Sequence, residues 1–360
     1  MALRSIQEAD FKNKRVLARM DFNVELSGDG VHVEGRFKLE VLKKTVDHIL
    51  GFPGVKIAML THFGRPQGDP RTAGRPNGKN DPHYSVARLV PAIEQALDRK
   101  VIFVPDCIGK SVADALDSLD EGALILLENV RFYPEEEAND LEFAKTLAKP
   151  FDIYVNDAFG VDHRNHASLT TITKFLPSYA GLRVLEEVKR LDQMLFSPKR
   201  PAVAIIGGAK IETKLPLIRV FEEKYDSVLV GGKVANEALD QKIVFSEKVF
   251  LPQDFDSSRR LDIGSDTIAR YIQVIKTAKT IVWNGPMGKF EEKPYDTGTS
   301  TLLQAVLESG AFIVIGGGES LTMLEEAGVM DKIGFVSTGG GAMLEYLGGK
   351  KLPGLEVLEA

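Results

Sequence analysis

The sequence has a single cysteine, Cys107, among its 360 residues. This excludes an intrachain disulfide framework and a zinc cluster built on cysteine. Apolar runs are short, and none approaches the roughly 18 consecutive apolar residues that a membrane-spanning helix needs. The first residues, MALRSIQEADFKNKR, lack the apolar core of a secretory signal. We therefore expect a protein of a reducing compartment, the cytoplasm, with no membrane partner.

Charge of one sign is not in large excess. Lys and Arg number 45 and Asp and Glu number 51, which leaves a net charge of −6. The surplus is not gathered in a tail, so a nucleic-acid partner is not expected. The apolar fraction of 44% and the charged fraction of 27% are typical of a globular protein. At roughly 150 residues per domain, the length predicts two domains.

Short apolar, β-branched runs alternate with amphipathic helical segments along the chain. In the first half the runs lie at 16–18, 55–60, 101–104, 123–127 and 153–155. In the second half they lie at 202–206, 227–230, 280–283, 312–315 and 335–337. Helical periodicity is found at 86–97, 184–195 and 300–307. The pattern predicts an α/β fold with two doubly wound parallel-sheet, Rossmann-like lobes joined by a hinge helix.

The predicted domain limits follow from this pattern. The first lobe is expected at 1–170, the hinge at 171–195 and the second lobe at 196–344, with a tail, 345–360, packing back on the first lobe. Between Arg65 and His83 the chain is rich in Gly, Pro, Asn and Asp, which predicts a long exposed loop.

Glycine follows nearly every predicted strand of the second half, as in AIIGG, VLVGG, VWNG, VIGGG and VSTGGG. At the carboxyl end of a parallel strand, glycine allows a backbone N–H to approach a phosphate. No G-x-G-x-x-G follows the first strand, and Gly109-Lys110-Ser111 lacks the first glycine of a Walker A motif. The pattern predicts a nucleotide lobe of another kind, the alternative being that these glycines only make tight turns.

Basic residues follow the predicted strands of the first half. Because parallel strands end at one edge of a sheet, we expect these side chains to converge on one cleft and to bind a small, strongly anionic substrate. For any single arginine, a surface ion pair is the alternative. The residues are Arg36, His62, Arg65, Arg131 and Arg164.

Two other patterns have a functional and a structural interpretation. His163-x-x-His166, with Asp157 and Asp162 nearby, has metal-ligating residue types, but Arg164 between the histidines would repel a cation, so a structural loop is expected. Lys210 and Lys214 flank one helical turn after the first glycine pair. Each of the two lysines either binds phosphate or is a solvated surface residue. Phosphate binding is favoured for Lys210.

Eight segments, in order along the chain, resemble motifs of the phosphoglycerate kinase family. In the first half these are RMDFNVEL, THFGRP, LLENVRFYPEEE and YVNDAFGVDHRNHAS. In the second half they are AIIGGAKIETK, VWNGPMGKFE, IVIGGGES and VSTGGGAMLE. The resemblance implies a glycolytic phosphotransferase with a carboxyl group as acceptor. It would transfer the acyl phosphate of 1,3-bisphosphoglycerate reversibly to ADP, with magnesium, giving 3-phosphoglycerate and ATP.

The resemblance also implies roles for individual residues, with Arg36 and Lys210 as catalytic residues and Glu319 as the metal ligand. The implied substrate-binding residues are Asp21, Asn23, Arg36, His62, Arg65, Arg131 and Arg164. The implied nucleotide-binding residues are Gly207, Gly208, Ala209, Lys210, Lys214, Gly231, Gly232, Asn284, Pro286, Glu291, Gly317, Gly318, Glu319 and Ser320. The lobes would close over the two substrates, and the protein would be a monomer.

The chain departs from the family pattern in three places. Glu319 stands where the family usually has aspartate, Lys233 where it usually has a third glycine, and the segment 239–262 is shorter than usual. Two other functions stay open. One is a nicotinamide-dependent dehydrogenase of a small anion, although its glycine fingerprint is missing from the first βα unit. The other is a non-catalytic, nucleotide-dependent scaffold.

Overall fold

The computed structural model describes residues 2–26, 33–66 and 81–360. Most of the loop predicted between Arg65 and His83 therefore lies outside the described residues. The chain divides into two compact units: unit 1 consists of Met1–Val188 and Lys351–Ala360, and unit 2 of Lys189–Lys350. No helix in the described ranges has both the length and the apolar character needed to cross a bilayer.

Unit 1 contains a six-stranded sheet, and every strand pair in it is parallel. Its order is β5-β6-β4-β1-β7-β8, so the chain begins in the middle of the sheet and builds outward on both sides. A short antiparallel pair, β2 (Glu25–Leu26) and β3 (Val33–Glu34), lies outside it. The strands of the sheet are β1 (Arg15–Met20), β4 (Lys56–Leu60), β5 (Val101–Val104), β6 (Leu124–Leu127), β7 (Ile153–Asp157) and β8 (Ser178–Ala180).

Alternate strand residues face the two sides of this sheet, and each side has its own apolar core. Ala18 and Met59 pack in one core with helices α2 and α3, whereas Leu17 and Ala58 pack in the other with α4 and α6. The sheet is therefore covered on both faces, which explains why its strands are continuously apolar. The helices are α1 (Phe37–Glu40), α2 (Lys43–Leu50), α3 (Val90–Leu97), α4 (Lys110–Ser118), α5 (Pro134–Glu137) and α6 (Leu141–Ala148).

Unit 2 repeats the plan with a second parallel sheet, in the order β11-β10-β9-β12-β13-β14. Its strands are β9 (Ala202–Ile206), β10 (Ser227–Val230), β11 (Val249–Phe250), β12 (Thr280–Asn284), β13 (Phe312–Gly316) and β14 (Phe335–Ser337). Its helices are α8 (Ile211–Lys224), α9 (Gly232–Asp240), α10 (Ser265–Ile275), α11 (Thr297–Glu308), α12 (Gly318–Glu326) and α13 (Gly340–Leu347). The prediction of an α/β fold with two parallel sheets is confirmed.

The helical run predicted at 184–195 is the helix α7 (Leu182–Phe196). Before it, within the segment 171–195, residues Thr171–Lys174 form a 3-10 turn and β8 adds an edge strand to the first sheet. The C-terminal residues, with α14 (Pro353–Glu356), belong to unit 1. There Arg4 N donates to Leu358 O at 3.0 Å. The strands β8 and β11 were not predicted because two or three residues carry no readable periodicity.

Candidate functional site

In unit 1 the loops after the central strands are tied together at one edge of the sheet. Phe22 N donates to Thr61 Oγ1 at 3.1 Å, which joins the loop after β1 to the loop after β4. Val130 N donates to Thr61 O at 3.2 Å, which adds the loop after β6. In a doubly wound sheet, ligands bind outside the carboxyl ends of the strands, where the order reverses. The fold therefore brings the predicted basic loops to a normal ligand-binding edge.

His62 is at the centre of a group of basic side chains at this edge. It is 3% exposed, and its Nδ1 lies 3.2 Å from Nη2 of Arg19. Burial, together with the charges of Arg19, Arg131 and Arg164, holds the pKa of His62 well below its ordinary value. The pKa of His166 is lowered to about 4, again by burial and by these arginines. Both histidines are therefore neutral at physiological pH.

Arg131 shows the same electrostatic environment. Its Nη1 donates to Gly64 O at 2.8 Å, and its Nε forms an ion pair with Glu137 Oε1 at 3.2 Å. Burial and the positive charge of Arg19 lower the pKa of Arg131 to about 10, and Glu137 only partly offsets this. Nε of Arg164 is buried and makes no hydrogen bond within the described residues. This excess of buried positive charge favours binding of an anion.

Arg36 and Arg65 are not drawn into this group. Both are exposed, and Arg36 Nε instead forms an ion pair with Glu40 Oε1 at 2.8 Å, one helical turn along the chain. Asn23 is close by, but it has a structural contact, since its Oδ1 accepts from Gly64 N at 2.8 Å. Asp21 is buried and accepts from Asn23 N at 3.3 Å.

The pair of histidines does not form a metal site. Among the residues that the structure describes, no group of three or more His, Cys, Asp or Glu could hold a metal ion. Asp162 is fully buried and accepts from Asn156 Nδ2 at 2.7 Å. Its backbone oxygen accepts from Gly354 N at 2.9 Å. The expected structural interpretation of this loop agrees with these contacts.

In unit 2 the backbone N–H groups of the first two glycine pairs make hydrogen bonds within the protein. Gly207 N donates to Asn284 O at 2.8 Å, and Gly208 N donates to Pro286 O at 2.8 Å. Gly231 N and Gly232 N likewise donate to the carbonyls of Ile206 and Met287, at 2.9 and 2.7 Å. These four N–H groups hold neighbouring loops against each other, so those of Gly207 and Gly208 are not free to bind phosphate in this structure.

A small cavity of about 190 Å³ lies at the carboxyl end of the unit 2 sheet. It is lined by the glycines that begin α12 and α13, by Ser320 and by Lys214. Helix N-termini present unpaired N–H groups and a partial positive charge, so this cavity suits phosphate. Of the predicted residues, Lys214, Asn284, Gly317, Gly318, Glu319 and Ser320 line it.

Lys214 is buried in that cavity rather than solvated. Its Nζ donates to Oδ1 of Asn284. The Nδ2 of the same asparagine donates to Gly316 O at 2.5 Å. Burial lowers the pKa of Lys214 to about 8, and the carboxylate of Glu319 acts in the opposite direction. Burial, together with the charge of Glu291, raises the pKa of Glu319. The positive charge of Lys214 and the negative charge of Glu319 therefore act on each other beside the cavity.

A larger cavity of about 480 Å³ shares Glu319 with the small one and extends toward α9. Four more of the residues predicted to bind nucleotide line this larger cavity: Gly208, Ala209, Pro286 and Glu291. Four others line neither cavity: Gly207, Lys210, Gly231 and Gly232. At the polar far end of this cavity, Lys233 had been singled out from the sequence as a departure from the family pattern. Sequence reasoning missed the other residues there, which are Asn236, Asp240, Arg259 and Arg260.

The far end is built by the short segment after α9. Arg260 Nη2 pairs with both carboxylate oxygens of Asp240, at 2.9 and 2.7 Å, and Arg260 O accepts from Asn236 Nδ2 at 2.9 Å. The sequence signals in this region were Lys233 and the shortness of 239–262, and neither revealed the ion pair between Asp240 and Arg260.

The charge of Lys214 leads to a prediction on pH. Below its pKa of about 8 the side chain is a cation that attracts phosphate, and above it the charge is lost. We expect the affinity of this cavity for a phosphate-bearing ligand to fall as pH rises through about 8, because the lysine then loses its positive charge. In Lys214→Arg, whose guanidinium stays protonated, this alkaline decrease should vanish. An unchanged decrease in the variant would contradict a phosphate-binding role for Lys214.

Comparison with known proteins gives the family. The family model described as phosphoglycerate kinase matches residues 6–259 and 245–350. Phosphoglycerate kinase of Coprothermobacter proteolyticus is 34% identical over 401 residues, covering 99% of both chains. The chloroplastic phosphoglycerate kinase of Volvox carteri is 38% identical over 401 residues, covering 98% of this chain and 84% of its own.

Solved structures agree. The phosphoglycerate kinase of Pyrococcus horikoshii superposes with a TM-score of 0.84 at 27% identity, and that of Coxiella burnetii with 0.78 at 30% identity. Both superpositions include 99% of the residues of this chain and 98% of the residues of the other chain.

The alignments with relatives span 401 positions, whereas this chain has 360 residues, so the relatives have residues that this chain lacks. The two ranges that match the family model overlap at 245–259, in the short segment. The chain belongs to the phosphoglycerate kinase family.

Proposed function

We propose that unit 1 binds 3-phosphoglycerate or 1,3-bisphosphoglycerate and that unit 2 binds ADP or ATP. The reaction is reversible transfer of a phosphoryl group, with the carboxyl group of 3-phosphoglycerate as acceptor in the ATP-consuming direction. One observation carries the assignment of unit 1. Arg19, Arg131 and Arg164 lie close enough to depress the pKa of His62, and their charges are only partly offset by carboxylates. A small polyanion supplies the missing charge.

The nucleotide assignment is supported by the two contiguous cavities of unit 2. The small one suits the terminal phosphates, and the larger one has room for the nucleoside. Phosphoryl transfer needs little more than positioning and neutralisation of charge on the transferring oxygens. In this chain Lys214 and the N-termini of α12 and α13 act on the nucleotide. Arg131 and Arg164 of unit 1 act on the other substrate, and α7 would be the hinge between the units.

Magnesium fits the residues present through Glu319. This carboxylate is exposed at the first turn of α12, and its side chain faces the glycine turn, since a Cβ on Gly208 would lie 3.3 Å from Oε2. Magnesium is usually held by one or two carboxylates together with phosphate oxygens and water. When bound, it neutralises the phosphate charge. Glu319 would hold the metal ion, whereas Lys214 would attract the terminal phosphates directly.

A coupled assay tests the proposal directly. With 3-phosphoglycerate, ATP and magnesium, we expect the purified chain to form ADP, with both substrates required. Omitting 3-phosphoglycerate controls for simple ATP hydrolysis. Binding of nucleotide with no turnover would indicate a scaffold, and quenching of the protein's fluorescence by NADH but not by ADP would indicate a dehydrogenase.

Glu319→Gln tests the metal ligand. Because an amide is a poorer magnesium ligand than a carboxylate, we expect the magnesium concentration for half-maximal activity to rise about tenfold, with little change in Tm. Glu326→Gln, an exposed glutamate at the end of the same helix, is the matched control and should behave as wild type. If Glu319→Gln lowers Tm and leaves the magnesium dependence unchanged, the carboxylate only stabilises the helix N-terminus.

A further inference from the structure

Arg19 lies near the carboxyl end of β1 and is fully buried, with 1% of its surface exposed. Burying a guanidinium is costly unless its donors are satisfied. Its Nε donates to Ser168 Oγ at 3.1 Å, and its Nη1 donates to the carbonyls of Met20 and Leu60, at 2.7 and 3.4 Å. The remaining contact, from Nη2, is to Nδ1 of His62 at 3.2 Å.

This last contact determines which ring nitrogen of His62 carries the proton. A guanidinium only donates and does not lose its charge in proteins, so Nδ1 must be the acceptor. A neutral imidazole then carries its hydrogen on Nε2. The depressed pKa of His62 agrees with a neutral ring. Among the described residues none accepts a hydrogen bond from Nε2, so this N–H is a free donor at the ligand-binding edge.

The orientation of Arg19 is in turn set by Ser168 and Glu136. Because Arg19 Nε can only donate, Ser168 Oγ accepts from it and directs its own hydrogen to Glu136 Oε1, at 2.6 Å. Ser168 N donates to the other oxygen, Oε2, at 2.8 Å. Glu136 and Ser168 are both fully buried. His166 also faces this carboxylate, with Nδ1 at 3.7 Å from Oε1.

We propose that Glu136, Ser168 and Arg19 form a positioning chain that holds His62 as its Nε2–H tautomer. His62 then meets a carboxylate or phosphate oxygen of the substrate as a neutral hydrogen-bond donor. His62 contributes a directional hydrogen bond to the substrate, whereas Arg131 and Arg164 contribute positive charge. The three members of the chain act through His62 and touch no substrate themselves. The proposal rests on the assignment of 3-phosphoglycerate to unit 1.

The tautomer is measured by long-range ¹H–¹⁵N NMR on the full chain labelled with ¹⁵N-histidine, with His62→Gln identifying the signal. We expect one protonated and one unprotonated ring nitrogen, Nε2 and Nδ1 respectively, unchanged from about pH 6 to about pH 8. A ring protonated on both nitrogens or on Nδ1 alone would overturn the proposal. Added 3-phosphoglycerate should shift the Nε2–H signal. If no histidine signal responds to it, the substrate assignment fails, whatever the tautomer.

Ser168→Ala tests the chain, and Ser168→Thr, which keeps a hydroxyl, is its matched rescue. We expect the alanine variant to give a mixture of His62 tautomers and an about tenfold higher KM for 3-phosphoglycerate, with KM for ADP unchanged. The threonine variant should restore both. A raised KM with an unaltered His62 signal, or equal losses for both substrates, would show a merely structural role. The wild-type spectrum decides the tautomer even if Ser168→Ala does not fold.

Discussion

Replacing Arg36 by alanine should lower turnover by about 10²- to 10³-fold, the usual cost of removing a group that stabilises charge developing in the transition state. Stability should change little. Arg36 is exposed, and its one ion pair, with Glu40 at an i,i+4 spacing, is of a kind that contributes about 0.5 kcal/mol or less. The measurements are kcat at saturating substrates and the Tm by circular dichroism.

Glu40→Gln is the matched control for this prediction, because it breaks the same ion pair and keeps the guanidinium. We expect it to retain near wild-type turnover. In the structure Arg36 pairs with Glu40, so a catalytic role requires the side chain to exchange this partner for the substrate. Near-normal turnover of Arg36→Ala would remove Arg36 from the mechanism and leave the buried arginines as the entire anion site.

The architecture could be predicted from the sequence because each strand and helix of a parallel α/β unit has a recognisable local pattern of apolar residues. A buried strand such as Ala202–Ile206 is a continuous apolar run, and an amphipathic helix such as α11 has a readable period. The residues at strand ends could also be placed, since all parallel strands end at one edge. Apolar runs, helical periodicity and residues at strand ends can all be recognised from residues that are close together in the sequence.

Arg19 was missed for the opposite reason. In RVLARM it is one charged residue within an apolar strand, and only the folded structure shows that Ser168 and His62 satisfy its donors. Lys214 is a similar case, since its burial depends on Asn284, 70 residues away in sequence. The ion pair between Asp240 and Arg260 depends on the path of the short segment. Long-range contacts leave no local pattern.

Glycines after the strands of unit 2 were correctly noted from the sequence, but phosphate binding alone does not explain why glycine is needed there. Glycine after β9 was predicted from phosphate binding, yet the N–H groups of Gly207 and Gly208 are used by Asn284 and Pro286. What the position requires is the missing side chain. A Cβ on Gly207 would lie 2.0 Å from the carbonyl oxygen of Pro286 and 2.6 Å from Cε of Met287. The glycine therefore allows two loops to approach.

Gly207→Ala should therefore destabilise unit 2 by about 3 kcal/mol, the upper range for overpacking, because the nearest obstacle is backbone that cannot rotate away. Gly318→Ala is the matched control. It introduces the same methyl group into the other glycine run, where nothing lies within 4 Å of the added Cβ. We expect its free energy of unfolding to change by less than about 1 kcal/mol.

The chain offers a probe confined to the region of interest. Its single tryptophan, Trp283, is fully buried in β12, and its Nε1 donates to Gly285 O at 2.8 Å. Gly285 is itself packed against Gly207, since its own Cβ would lie 2.5 Å from Gly207 O. Tryptophan fluorescence during urea denaturation thus follows unfolding of unit 2. If Gly207→Ala and Gly318→Ala shift the midpoint equally, close packing does not explain the glycine after β9, and its role must be sought in the bound nucleotide.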